Sequence, residues 1–256
     1  MKYFLFFILF SCSVLNGVAQ KKKKQTEQRA VEETQVPVQP QPEVQPQPPA
    51  QSQINQVYLH YARKYSLATQ WNDYEVAKNA LYDMIIENPG NDSLLFTLAY
   101  YYYENQQFAP SLLINQELLA RQPKNLSYLE MAAVSAESLG VKDKALQNYE
   151  TLYLLSNSVN TLYKISFLQY DMKRYNEAAT NVDILLTKPE IATLMVIYND
   201  AGGKQKEYIM KVPVLNLKGL LALEKGDKLS AKKLFEEALK LAPDFVLTKE
   251  NLAKTK

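Results

Sequence analysis

The stretch Leu215 to Pro243, LNLKGLLALEKGDKLSAKKLFEEALKLAP, sets the frame for the whole chain. Leu215, Gly219 and Ala222 recur at spacings of four and three, and so do Ala231, Phe235 and Ala238, which places each trio on one stripe of a helix. Gly226-Asp227 separates the two stripes and Pro243 stops the second, because proline cannot continue a helix. Small residues on both stripes let the two helices approach closely, and Phe235 fills the space beside them. The segment therefore reads as a tight helix pair joined by a short turn.

The same frame recurs upstream. Registered on the small residue of the second helix, the series is Ala77, Ser111, Ala145, Ala178 and Ala231, with steps of 34, 34, 33 and 53. An apolar residue early in each first helix follows the same spacing (Tyr61, Leu95, Leu129, Leu162, Leu215). A small residue follows one turn later (Ala99, Ala133, Ser166, Gly219), with Tyr65 the departure in the first unit. Gly140 and Gly226 fall at the turn inside a pair, where a left-handed residue ends the first helix; Asn72, Gln106 and Lys173 take that place elsewhere. Pro89, Pro123 and Pro243 close three of the units. A helix pair of this length cannot bury both of its faces alone, so neighbouring pairs must stack and share a core.

On these residues the chain resembles the tetratricopeptide repeat family, over about four-fifths of its length. The resemblance implies an all-α fold: a right-handed superhelix of about five helix pairs, closed by a capping helix in the stretch after Asp244-Phe245 that runs to Lys256. It also implies a concave groove that receives an extended peptide or a partner surface, without chemistry of its own.

The step of 53 exceeds the period by 19 residues, and the excess lies between Pro189 and Val212. Thr193 to Tyr198 and Glu207 to Val212 are rich in β-branched and aromatic residues, and Asn199-Asp200-Ala201-Gly202-Gly203 between them is turn chemistry. A β-hairpin is expected over about 193–212. An isolated hairpin is marginal in water and must pack on helices or pair with something. It is read here as decoration over the seam between the fourth and fifth units, so that its removal leaves the array folded; the other reading is an edge for strand addition. Gly203-Lys204-Gln205 lacks the upstream glycine and the Ser/Thr of a phosphate loop.

Ahead of the repeats the composition changes twice. Met1-Lys2, the apolar Tyr3 to Phe10 and the small Gly17-Val18-Ala19 before Gln20 read as a secretory signal over 1–19. Leu9-Phe10-Ser11-Cys12 offers a second reading, a lipoprotein acylated at Cys12, although Phe10 is bulky for that pattern. Residues 20–53 read as a disordered linker: Lys21, Lys22, Lys23 and Lys24 first, with possible contact to an anionic envelope surface, then a spacer holding Pro37, Pro40, Pro42, Pro46, Pro48 and Pro49. The repeat domain is expected over 54–256.

Composition excludes several classes. Of 256 residues 47% are hydrophobic, enough for a real core, and 29 basic against 27 acidic residues give a net charge of only +2, unlike a nucleic-acid-binding protein. One histidine, His60, and one cysteine supply neither a metal cluster nor a disulfide. No Gly-x-Ser-x-Gly elbow presents a nucleophile. Glu32-Glu33 and Glu236-Glu237 read as solvated pairs, the latter beside Lys232 and Lys233. Neither an enzyme nor a cofactor is expected.

In the family resembled, the first helix of each pair lines the groove. The frame carries that role to Phe96, Tyr100 and Tyr103 in the second unit, to Glu130, Val134 and Glu137 in the third, and to Tyr163, Phe167 and Tyr170 in the fourth. An aromatic groove with acidic points suits an apolar or tyrosine-stacking peptide carrying a basic residue. A carboxylate clamp needs Lys and Asn where this chain has Ala62, Ser66 and Thr97, which argues against that mode. Charge is polarised: residues 54–158 hold 7 basic and 11 acidic side chains, and 159–256 hold 16 and 12. The expected function is a non-enzymatic scaffold of the bacterial periplasm or envelope, with protein or peptide partners and no nucleic acid. The alternative is a membrane-anchored lipoprotein subunit of an envelope assembly or secretion machine.

Overall fold

Short polar side chains start most of the helices. Asn55, Asn91, Asn125 and Ser158 accept backbone N–H bonds at the heads of α1 (Gln56–Gln70), α3 (Asp92–Glu104), α5 (Leu126–Ser138) and α7 (Val159–Asp171). Asp73 and Asp227 do the same for α2 (Tyr74–Glu87) and α10 (Lys228–Leu241). With α4 (Phe108–Arg121), α6 (Lys142–Ser156), α8 (Tyr175–Thr187) and α9 (Lys211–Glu224) these make five antiparallel pairs, followed by α11 (Val246–Ala253). The computed structural model describes residues 55–256; the expected signal, Lys21 to Lys24 and the Pro-rich linker lie outside the described residues.

The turn chemistry explains the pairing. Asn72, Gln106, Lys173, Gly140 and Gly226 all have positive φ, between 58° and 78°, so the five turns share one left-handed geometry. Three of them hold it without glycine, at a strain cost that the closing helices offset. Asn88, Gln122 and Ala242, each preceding a proline, leave the helical region, with φ of −143°, −132° and −142°, as proline favours in its neighbour. The third pair has no proline, and left-handed Asn157 (φ 49°) ends α6 instead.

Small residues sit where the helices cross. Ala77, Ser111, Ala145, Ala178 and Ala231 are buried, as are Ala99, Ala133 and Ser166. At Gly219 an added Cβ would lie 2.4 Å from a ring carbon of Phe235, so α9 and α10 meet at a distance that admits only glycine. First helices of successive pairs touch, α3 with α5 and α7 with α9. The chain end is sealed by α11: buried Asn216 of α9 accepts bonds from Thr248 and Asn251, both at 3.0 Å.

The insert departs from its expected limits. A 3₁₀ turn (Pro189–Ala192) leads into β1 (Met195–Asn199), which pairs antiparallel with β2 (Gln205–Ile209), Val196 opposite Tyr208 and Tyr198 opposite Lys206. Thr193 caps the 3₁₀ turn rather than opening β1, and Lys211-Val212 open α9 rather than extend β2. Pro213 stands in the first turn of that helix, where no intrahelical acceptor exists for the N–H it lacks, and Val212 faces the core from there.

The hairpin is also more than decoration. Val196 and Met210 are buried with Leu162, Val182, Val214 and Leu217, while Tyr208 is buried with Val212, Leu215 and Phe245. Tyr198 and Tyr208 each set an edge against the Phe245 ring, with centroids 5.1 and 4.9 Å away, and Lys206 pairs with Asp244. The fourth and fifth pairs therefore share a core with the insert.

Candidate partner-binding surface

Four consecutive tyrosines in α3 show how a helix sorts its residues, since each is turned about 100° from the last. Tyr101 donates to Glu75 of α2 at 2.9 Å and Tyr102 shares a 2.6 Å hydrogen bond with Tyr82, so both face the preceding pair. Tyr100 and Tyr103 lie on the other side. Tyr100 is 47% exposed and Tyr103 half-buried against Phe108, with ring centroids 5.8 Å apart. Phe96, one turn earlier, is half-buried on Tyr128 of α5 at 5.1 Å, so only part of its ring faces solvent.

The third unit brings its acids to this aromatic face. Burial pushes the Tyr103 hydroxyl well above the usual phenol range, and the charges of Glu104, Glu130 and Glu137 push it further. Glu137 is held on both sides: the Tyr149 hydroxyl donates to it at 2.7 Å and Lys164 pairs with it at 3.6 Å. Glu130 is exposed as a residue, yet the surrounding wall displaces enough water from its carboxyl to raise it above the ordinary value. Val134, between the two acids, is half-buried against the core around Leu129 and Leu146. The surface is thus a partly apolar wall with surplus negative charge.

The fourth unit is different. Tyr163 was expected to line the groove, but it is 6% exposed. Its hydroxyl is hydrogen-bonded to that of Tyr198 on β1, and burial drives both phenols up, Tyr198 to about 12. This is a correction: the hairpin covers the position, and the repeat frame carries no information about an insertion. Phe167 packs on Tyr163 at 4.6 Å. Tyr170 is half-buried beside Tyr175 and donates to Glu224 at 3.3 Å. The structure therefore leaves Tyr100 exposed, holds Glu137 between Tyr149 and Lys164, and takes Tyr163 into the core.

Sequence reasoning missed Lys164 and Tyr149. Lys164 sits one residue beyond the frame position of Tyr163, a rotation that a step of 33 rather than 34 already hints at. Tyr149 comes from a second helix, α6, whereas the family resemblance assigns the groove to first helices.

No protein-family profile matches the chain, and no curated protein does. Similarity appears among solved structures. A tetratricopeptide repeat protein from Parabacteroides merdae ATCC 43184 superposes with a TM-score of 0.59 at 20% identity, over 78% of this chain and 72% of that one. YrrB, a TPR protein with an unusual peptide-binding site, gives 0.59 at 13% identity, over 77% and 91%. MamA gives 0.55 at 14%, over 78% and 95%. Identities this low speak for the fold alone: the described residues form an all-α tetratricopeptide array with one inserted hairpin.

Proposed function

We propose that this protein is a non-enzymatic scaffold that grips an extended peptide, or an extended segment of a partner protein, on the open face of its second and third helix pairs. The observation that carries the reading is Tyr100, 47% exposed on α3, together with the acidic side chains of α3 and α5 whose charge acts on the neighbouring Tyr103 hydroxyl. An exposed tyrosine offers apolar area at low entropic cost, and a crowd of carboxylates with one lysine among them calls for a cation. The partner segment accordingly carries a Lys or Arg next to apolar or aromatic residues. The described peptide-binding site of YrrB is in keeping with such a use of this fold.

The test is a library of short peptides differing only in a central Lys, Gln or Glu. Lys-bearing members bind and Glu-bearing ones do not, and Tyr100→Ala weakens the best binder by about 2 kcal/mol. Equal binding across the library sinks the reading.

We further propose that the chain is exported and works in the bacterial periplasm or envelope, with the lysine run and proline-rich spacer holding the repeats off a surface. The apolar Tyr3 to Phe10 run and the small residues before Gln20 support this. Mass analysis of the mature N-terminus should find Gln20; an acylated Cys12 would instead establish the lipoprotein reading, and an intact Met1 would end both.

A further inference from the structure

Four residues after its small residue, each second helix but one carries a large apolar or aromatic side chain: Leu81, Tyr149, Val182 and Phe235, all buried. The second pair has Asn115 there, and Asn115 is fully buried too. Its amide donates to Ser111 C=O one turn earlier at 2.8 Å, while its Oδ1 has no donor among the described residues. Turning the amide over would only set the oxygen against that carbonyl. A buried oxygen without a donor is costly, because its hydration is lost and not replaced.

The positions around Asn115 are polar as well. Ser135 of α5 meets Ser111 across the joint between the second and third pairs, donating hydroxyl to hydroxyl at 3.2 Å, and both are fully buried. At the next joint the repeat frame puts Ala145 and Leu168 in those places, and at the last one Ala178 and Leu221. Each of these couples lies within one apolar core. The joint between the second and third pairs therefore gains less from apolar burial than those after it, and opening it would hydrate the orphaned oxygen.

The other end of the same joint is apolar. α4 and α5 are joined by the short loop at 122–125, and at that end Leu118 is buried with Leu95 and Tyr128, against which Phe96 rests at 5.1 Å. A joint with one weak end and one strong end turns about the strong one. We infer that this joint is the hinge of the array: Ser111 and Asn115 part from Ser135 while the cluster of Leu95, Leu118 and Tyr128 holds as the pivot. Leu112, which packs in the core with Leu129 and Ala132, is the apolar contact that recloses it. Because α3 moves with α4, the motion alters the spacing between Tyr100 and Glu130. A partner that grips both bridges the hinge and holds it shut; that last step rests on the binding surface proposed above.

Thiol labelling of the full-length protein, carrying Cys12→Ser, tests the hinge. Ser111→Cys places a thiol of similar size at the joint, and Ser166→Cys makes the same change at a fully buried serine outside it. The thiol at 111 should label about tenfold faster or more than the one at 166. Its rate should hardly change in low denaturant, since local opening exposes little surface. Adding Asn115→Leu, the residue type of Leu81, removes the orphaned oxygen and should bring labelling at 111 down to that at 166, with the unfolding midpoint held or raised. Should leucine overfill the site and lower the midpoint, Asn115→Val, after Val182, is read in the same way. Equal labelling at 111 and 166, or fast labelling at 111 that survives both Asn115 variants, overturns the inference. A saturating Lys-bearing peptide should slow labelling at 111 and leave 166 unchanged. A peptide that binds without slowing it overturns the coupling of hinge to surface. Labelling without peptide decides the hinge even if no peptide binds, so failure here and failure of the groove reading remain distinguishable.

Discussion

Tyr100 and Tyr163 lie on the aromatic stripes of first helices in the second and fourth units, one turn apart in the repeat frame, and one is 47% exposed and the other 6%. Position in the stripe explains part of the difference, since Phe96, the equivalent of Tyr163, is already half-buried on Tyr128. The hairpin supplies the rest: Tyr198 reaches Tyr163 from the insert, and no strand among the described residues does the same at Phe96 or Tyr100. A repeat frame therefore assigns a residue to a helix face, while the use of that face depends on what an insertion lays over it. Here one end of the array has become core and the other has stayed open.

Removing the cover should break this contrast most severely. Excision of 194–210 with a short turn in its place uncovers Tyr163, Val214 and Phe245 and deletes buried Val196, Tyr208 and Met210. The expected result is loss of cooperative unfolding for the last two pairs, read as a second, earlier transition in thermal melts while α1 to α6 keep their midpoint. A single unchanged transition would return the insert to the status of decoration.

The two tyrosines themselves give the next largest effect. Tyr163→Ala leaves a cavity at a packed site and orphans the Tyr198 hydroxyl, and should cost about 3–5 kcal/mol in denaturant unfolding. Tyr100→Ala removes an exposed ring and should cost no more than about 0.5 kcal/mol. Similar losses for both would mean that the open face is not open.

Glu130 offers the smallest and most specific test. Its folded-state carboxyl value lies above its unfolded one because burial disfavours the charged form. The folded protein thus binds this proton more tightly, and stability falls as pH rises through that raised value. Glu130→Gln should accordingly raise the unfolding midpoint slightly near neutral pH and leave it unchanged in acid, where the carboxyl is protonated in both states. The same variant should weaken Lys-bearing peptides. A residue whose removal stabilises the fold and impairs binding is retained for binding.

Much of this was legible beforehand. Helix pairing, the period and the five left-handed turn positions, including Asn72, Gln106 and Lys173 without glycine, follow from side-chain size and backbone sterics, which act within a few residues. The place of the insert was legible too, as a break in the period. Its limits were not, because Val212 satisfies a strand pattern and a helix equally well and only the burial of Val212 and the first-turn position of Pro213 decide between them.

What the sequence determined by itself was local: which residues form helices, where each ends, and which stripe each turns toward its partner. Tertiary structure alone decided that the hairpin folds onto Phe245 and Tyr163, that Lys164 and Tyr149 meet at Glu137, and that Phe96 lies on Tyr128 of the next unit. These contacts join residues from different helices or units, and their geometry depends on rotations of a few degrees per residue that accumulate across stacked helices. A periodic pattern fixes the order of those helices but not the angle at which each one presents its face.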